Sequence, residues 1–259
     1  MEDENKLATK NETAIDTPAR RGMEEPIDNS DLIIPRVMLI QNTPPKTVTI
    51  DRKQCPPGTI INSLTAQPLP LDEKGGVFFV PVLRGKKWIR FNAQEKGKRG
   101  YVEGYELGAK IWESRDSRDP LVMKEGAWEG NEAPLATEII EFLILVPGQG
   151  VPLVLGFSRT SFNAGKKLTS LAQFAKRGDG SSADLFERAY RLRAEEKQND
   201  QKQQYYVLNV DLVAPVEQDS ALFKEAESLY SSFRGRDIKA HGEEEPAPVP
   251  PPAARQPWE

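Results

Sequence analysis

Two residue types that carry much of biological chemistry are nearly missing from this 259-residue sequence, which has one cysteine, Cys55, and one histidine, His241. A lone cysteine cannot close an intrachain disulfide, and the two together cannot build a cysteine/histidine zinc cluster. Cys55 is followed by Pro56 and Pro57 with no histidine nearby, which suits packing better than nucleophilic attack. His241 sits in a low-complexity segment and is a poor general base. No GxxxxGK phosphate loop, GxSxG elbow or HExxH occurs. Asp116 and Asp119 are too sparse a pair to read as a magnesium site. No enzyme, cofactor or metal is therefore expected. No run of about 18 apolar residues exists, so no membrane-crossing helix is expected. The opening MEDENKLATK has no apolar core of the kind an export signal needs, which points to the cytoplasm.

A second absence is local. Between Val151 and Arg177 there are five basic residues and no acidic one, within a chain whose overall formal charge is -4. The charge is segregated: Val77 to Lys110 holds eight basic against three acidic side chains, while the first 31 residues and the stretch from 243 to 259 are acidic. Local patches, more than the total, set what a surface attracts.

In chain order, residues 1–31 read as a disordered acidic arm, with the folded region expected over 32–233. Ile33–Ile40 is the first strand candidate, and Thr47–Ile50 and Thr59–Asn62 read as short strands among prolines. Val77–Leu83 and Lys86–Asn92 read as a hairpin turning at Arg84–Gly85. Lys96, Lys98 and Arg99, interleaved with Gly97 and Gly100, suggest a mobile basic loop closing at Tyr101. Residues 107–133 give no clear pattern, although Trp112 and Trp128 could pack locally. Thr137–Val146 and Val151–Phe157 form a second hairpin. A helix then carries Ala164, Leu168, Leu171, Ala172 and Ala175 on one side, with Lys166 and Lys167 near its start and Lys176 and Arg177 in its last turn. Cations at a helix start oppose the helix dipole, which hints at an external anion. Asp184–Ala194 and Gln203–Val213 form a third hairpin with a long flexible loop. A final helix follows over Ser220–Phe233, with Asp219 as its N-cap candidate. Residues 234–259 are acidic, then proline-rich, and are expected to stay extended and disordered.

Basic and aromatic residues at strand ends and on strand faces suit single-stranded nucleic acid, since cations track phosphates while rings stack on bases. The candidate interface comprises Lys86, Lys87, Trp88, Arg90, Phe91, Lys96, Lys98, Arg99 and Tyr101 on one wall. Arg159, Phe162, Lys166 and Lys167 form the other, and Arg188, Tyr190 and Arg191 are further candidates.

The succession IPRVMLIQNTPP, FVPV with KKWIRF, PLVLGFSRTSFNAGKKLTSL and YYVLNV resembles tailed-phage single-stranded DNA-binding proteins of the OB-fold kind. The resemblance implies a mainly β protein with a few helices: an antiparallel OB-fold-like barrel of about five strands, capped by a helix and flanked by disordered acidic termini. It also implies sequence-independent binding and protection of single-stranded DNA during phage replication or recombination, in the host cytoplasm. Such proteins commonly recruit replication and repair partners through an acidic tail with an apolar tip. Glu243, Glu244 and Glu245 followed by Pro257 and Trp258 match that pattern, and Glu259 departs from it. Two other readings stand beside this one. One is a phage structural or assembly protein docking through its acidic and proline-rich termini, and the other is a strand-annealing recombination protein.

Overall fold

The computed structural model describes residues 32–43, 49–236 and 240. The acidic arm, the first half of Thr47–Ile50, His241 and the tail with Glu243, Glu244, Glu245, Pro257 and Trp258 lie outside the described residues. Among the described residues, eight strands and three α-helices follow one another as β1 (Val37–Leu39), β2 (Ile60–Asn62), β3 (Val77–Phe91), β4 (Lys110–Ser114), α1 (Pro120–Glu125), β5 (Ala136–Leu145), β6 (Leu153–Phe157), α2 (Phe162–Gln173), β7 (Arg188–Gln198), β8 (Gln204–Pro215) and α3 (Ala221–Phe233). The protein is mainly β and antiparallel.

The expected first hairpin is a single strand. β3 runs for 15 residues without a turn, and Arg84 and Gly85 pair with Phe142 and Glu141 of β5 like any ladder positions. A two-residue hairpin turn would need a left-handed backbone at this site, and Gly85 does not have one. β3 pairs with β7 over Val77–Phe79, with β5 over Val80–Arg90 and with β4 over Trp88–Phe91. Pro81, which cannot donate to a ladder, stands where the β3–β5 register shifts. The sheet order is β6-β5-β3-β7-β8 with β4 on β3, so no ladder joins β6 to β8 and the barrel is not closed.

The gap between β6 and β8 is bridged instead by the β1 segment. Val154 of β6 donates its N–H to the Pro35 carbonyl at 2.8 Å. Beyond β1, Gln41 exchanges two hydrogen bonds with the Tyr206 backbone, accepting from its N–H at 2.9 Å and donating to its carbonyl at 2.8 Å.

Period-two alternation sends the two strand faces into two cores. Phe79, Phe142, Ile144, Leu155, Phe157, Tyr190, Leu192 and Val210 face inward, where α2 adds Ala164 and Leu168. Val80, Val82, Leu143, Leu145 and Ala189 face the other way, under Ala226 and neighbouring residues of α3. The other two hairpins form as their patterns indicate, β5 with β6 and β7 with β8. The expected long loop of the latter is short, because the ladder continues to Gln198–Gln204. The α3 N-cap is Ser220, whose hydroxyl accepts from the Phe223 N–H at 3.2 Å.

α2 approaches β6 closely through Gly165. A Cβ there would stand 2.7 Å from Phe157 Cβ, an atom fixed to the strand backbone. Alanine would gain about 1 kcal/mol of helix propensity, but overpacking costs about 1–3 kcal/mol. Because Phe157 cannot swing aside, we expect Gly165→Ala to lower the urea midpoint, while Gly156→Ala, whose Cβ would meet only Ile139 at 3.6 Å, leaves it nearly unchanged. Equal stability of the two variants would contradict this packing.

Candidate nucleic-acid interface

Strand register determines which of the expected interface residues share one end of the sheet. Phe157 of β6 pairs with Ile140 of β5, and Arg90 of β3 pairs with Ala136. Arg159, two residues past Phe157, therefore comes level with the start of β5, and the 92–109 connection leaves β3 at that same end. Neighbouring strands lie about 4.8 Å apart, so the two exits, with β5 between them, are separated by roughly 10 Å.

The second half of the 92–109 connection is held to β3 by side chains. Buried Asn92 donates to the carbonyls of Val102, Tyr105 and Glu106 at 3.1, 2.9 and 3.1 Å, and its own carbonyl accepts from the Val102 N–H at 2.7 Å. Arg90 adds a bond to the Gly100 carbonyl. Lys96, in this loop, is exposed. Lys98 is exposed too, with Glu95 at 3.8 Å. Arg99 is tied to Glu132 and to the Ala133 carbonyl, and Tyr101 and Phe91 are half-buried.

Most of the remaining candidates on β3 and β7 are already engaged. Lys87 is completely buried, with its Nζ 2.8 Å from Glu141 and 3.5 Å from Glu113. Glu141 is also approached by Arg36 at 3.7 Å and Arg115 at 3.5 Å. Lys86 pairs with Glu138 and lies over the Trp88 ring. Arg90 is buried and paired with Glu125 at 3.2 Å, and Trp88 packs with Val122 and Ala136 beneath α1. Arg191 pairs with Asp72, and Arg188 donates to the Lys176 carbonyl. Tyr190 lies in the inner core beside Phe79, with rings 5.9 Å apart. Its hydroxyl has no hydrogen-bond partner among the described residues, and burial pushes its pKa up to about 12. Trp88 and Tyr190 therefore pack in cores and present no ring face for a base, and Lys87 and Arg90 cannot reach a phosphate. Alternation showed which side chains share a face, but not that both faces are covered.

The β6–α2 junction is different. Arg159 opens a short 3₁₀ turn with φ at +46°, a left-handed backbone that costs a non-glycine residue about 1–2 kcal/mol. Arg159 and Lys166 are exposed and form no ion pair among the described residues. The Lys166 Nζ lies 4.9 Å from the half-buried Phe162 ring, giving a cation–π pair one helical turn apart. Lys167 is spoken for by β8, with Asn209 at 3.2 Å and Asp211 at 3.1 Å. Asp211 is held below the ordinary carboxylate range, mainly by its hydrogen bond from Arg193 and further by Lys167.

Lys176 and Arg177 lie beyond α2, which ends at Gln173. Arg177 donates through Nε and Nη2 to Glu187, with contacts of 2.8–3.0 Å, and through Nη2 to Asp184 at 2.9 Å. Burial alone would raise the Glu187 pKa, but hydrogen bonds from Arg177 and the Asp184 N–H outweigh it and bring it below the ordinary 4.5. A depressed folded-state pKa gives stability that is complete above about pH 4.5 and is lost as pH falls through the lowered value. Glu187→Gln should therefore melt lower than the parent at pH 7 and lose less on acidification, so that the two melting curves converge toward pH 3. A constant offset from pH 7 to pH 3 would contradict the role given to this ion pair.

Among the described residues no group of three or more histidine, cysteine, aspartate or glutamate side chains stands together as a metal site, and no helix is long and apolar enough to cross a membrane. No curated protein and no solved structure matches the chain. A family model does, across residues 3–239, and with nearly the whole sequence covered the chain belongs to a phage protein family, the Pam3 phage gp34-like proteins.

Proposed function

We propose that the protein binds single-stranded DNA without sequence preference, as part of phage DNA replication or recombination, at the sheet end where the β6–α2 junction and the 92–109 connection emerge. The observation that carries this reading is the group formed by Arg159, Phe162 and Lys166. Among the described residues neither cation has a carboxylate partner; Lys166 lies over the partly exposed Phe162 ring and Arg159 stands three residues before that ring, on a segment with no acidic residue. Lys96 and Lys98 extend the positive surface from the neighbouring exit, and Tyr101 and Phe91 supply further partly exposed rings. Phosphates would meet the cations while bases stack on the rings, a combination indifferent to base identity. Membership of a phage family agrees with this role.

A second reading, a structural or assembly protein of the phage particle, is favoured by the apolar surface on and just after α1, where Met123 and Trp128 are 66% and 68% exposed. It would show as co-sedimentation with virions and no affinity for DNA.

Titration with fluorescent oligothymidine at several salt concentrations distinguishes the two. Affinity should fall steeply with salt, and Arg159→Glu with Lys166→Glu should reduce the log–log slope by about 1.4, since each lost single-strand phosphate contact removes about 0.7. Lys167→Met, at a lysine already paired with Asp211, should change the slope far less. Binding that is absent, or insensitive to salt, would refute the proposal.

A further inference from the structure

The solvent face of α2 has one feature that the site above does not use. Its exposed positions are Asn163, Lys166, Lys167, Ser170 and Gln173, and at the helix C-cap Phe174 is 76% exposed, the most exposed of the large apolar side chains among the described residues. A phenylalanine this open has no packing role to account for it, since the inner core takes Ala164, Leu168 and Leu171 from the same helix. No residue of the face is a carboxylate, and Asp211 of β8 reaches its edge in a pair with Lys167, which leaves Lys166 as the cation turned to solvent. The nearest acids along the chain, Asp179 and Asp184, lie beyond its end, where Asp184 is paired with Arg177.

From this arrangement, and resting on the single-stranded DNA reading, we infer that the strand runs along the outer face of α2 from Phe162 to Phe174, with Phe174 as a second stacking residue. Twelve residues of helix separate the two rings, a rise of about 18 Å. Lys166 lies between them, and Lys176 follows Phe174 as an exposed cation. The charge of the face is complementary to a phosphate backbone, and the two rings at its ends give bases a platform at either side of the cation. The track therefore follows the outer face of the helix, and it predicts a minimum length for tight binding.

Three forms of the full-length chain test this against oligothymidines of 4 and 12 nucleotides: the parent, Phe174→Ala and Phe174→Trp. For the 12-mer, Phe174→Ala should weaken binding by about fivefold or more, the lower end expected for one stacked base. The 4-mer, which can bridge about 18 Å only when pulled taut, should lose less affinity than the 12-mer on Phe174→Ala. Tryptophan at 174 should retain affinity and add a fluorescence component that the 12-mer quenches. If the parent binds oligothymidine while Phe174→Ala binds the 12-mer as tightly and the tryptophan signal is unchanged, the track is wrong and the binding function stands. If the parent binds neither oligonucleotide, the function itself fails, and the track with it.

Discussion

Backbone pairing along β3 is the constraint on which the rest of the structure depends. One uninterrupted strand hydrogen bonds to β7 at its start, β5 through its middle and β4 at its end, so the two hairpins β5–β6 and β7–β8 are held together by Val77–Phe91. A turn at Arg84–Gly85 would release one wing from the other and leave the inner core, which draws on both, without one of its walls. The same continuity fixes β5 against β3 and β6 against β5, and so puts the β6–α2 junction and the 92–109 connection at one end of the sheet.

Burial on both faces of β3 also decides what its charges can do. Lys87 and Arg90 look like solvent-facing cations in the sequence, yet each is buried beside a carboxylate, Glu141 of β5 and Glu113 of β4 for one and Glu125 of α1 for the other. A buried ammonium needs such partners, because leaving it uncompensated costs several kcal/mol, on the order of 3–5. Cations that face water have no such requirement. The segment from Val151 to Arg177 therefore matters chiefly through Arg159 and Lys166, since Lys167 and Arg177 are turned into structural ties by Asp211 and Glu187.

Local patterns in the sequence are legible where they describe neighbours along the chain. The β5–β6 and β7–β8 hairpins and both long helices follow from alternation and helical spacing, and the α3 cap is one residue from its expected position. The mainly β class follows with them, though the implied barrel does not close. What escapes is set by contacts between distant residues. Arg84–Gly85 has the composition of a turn and becomes ladder because β5 offers a matching edge. β4 and α1 carry no periodic signal, since Trp112 is fixed by the Glu125 carboxylate at 3.0 Å and Val122 is the one buried residue of a six-residue helix. The pairing of Arg191 with Asp72 joins positions 119 residues apart, a relation that no charge count along the chain reveals. Phe174 was invisible for the opposite reason: an apolar residue at the end of an amphipathic helix looks like core until its exposure is seen.

The central claim is that DNA meets the acid-free segment from the β6–α2 junction along α2, together with the 92–109 connection at the same sheet end. Hydrogen–deuterium exchange of the full chain with and without saturating oligothymidine tests it most directly. The account predicts slowed exchange confined to residues 94–101 and 158–176, with α3 and the β3–β5 ladder beneath it unchanged. Protection on α3, or none in residues 158–176 under conditions where the oligonucleotide is bound, would contradict it.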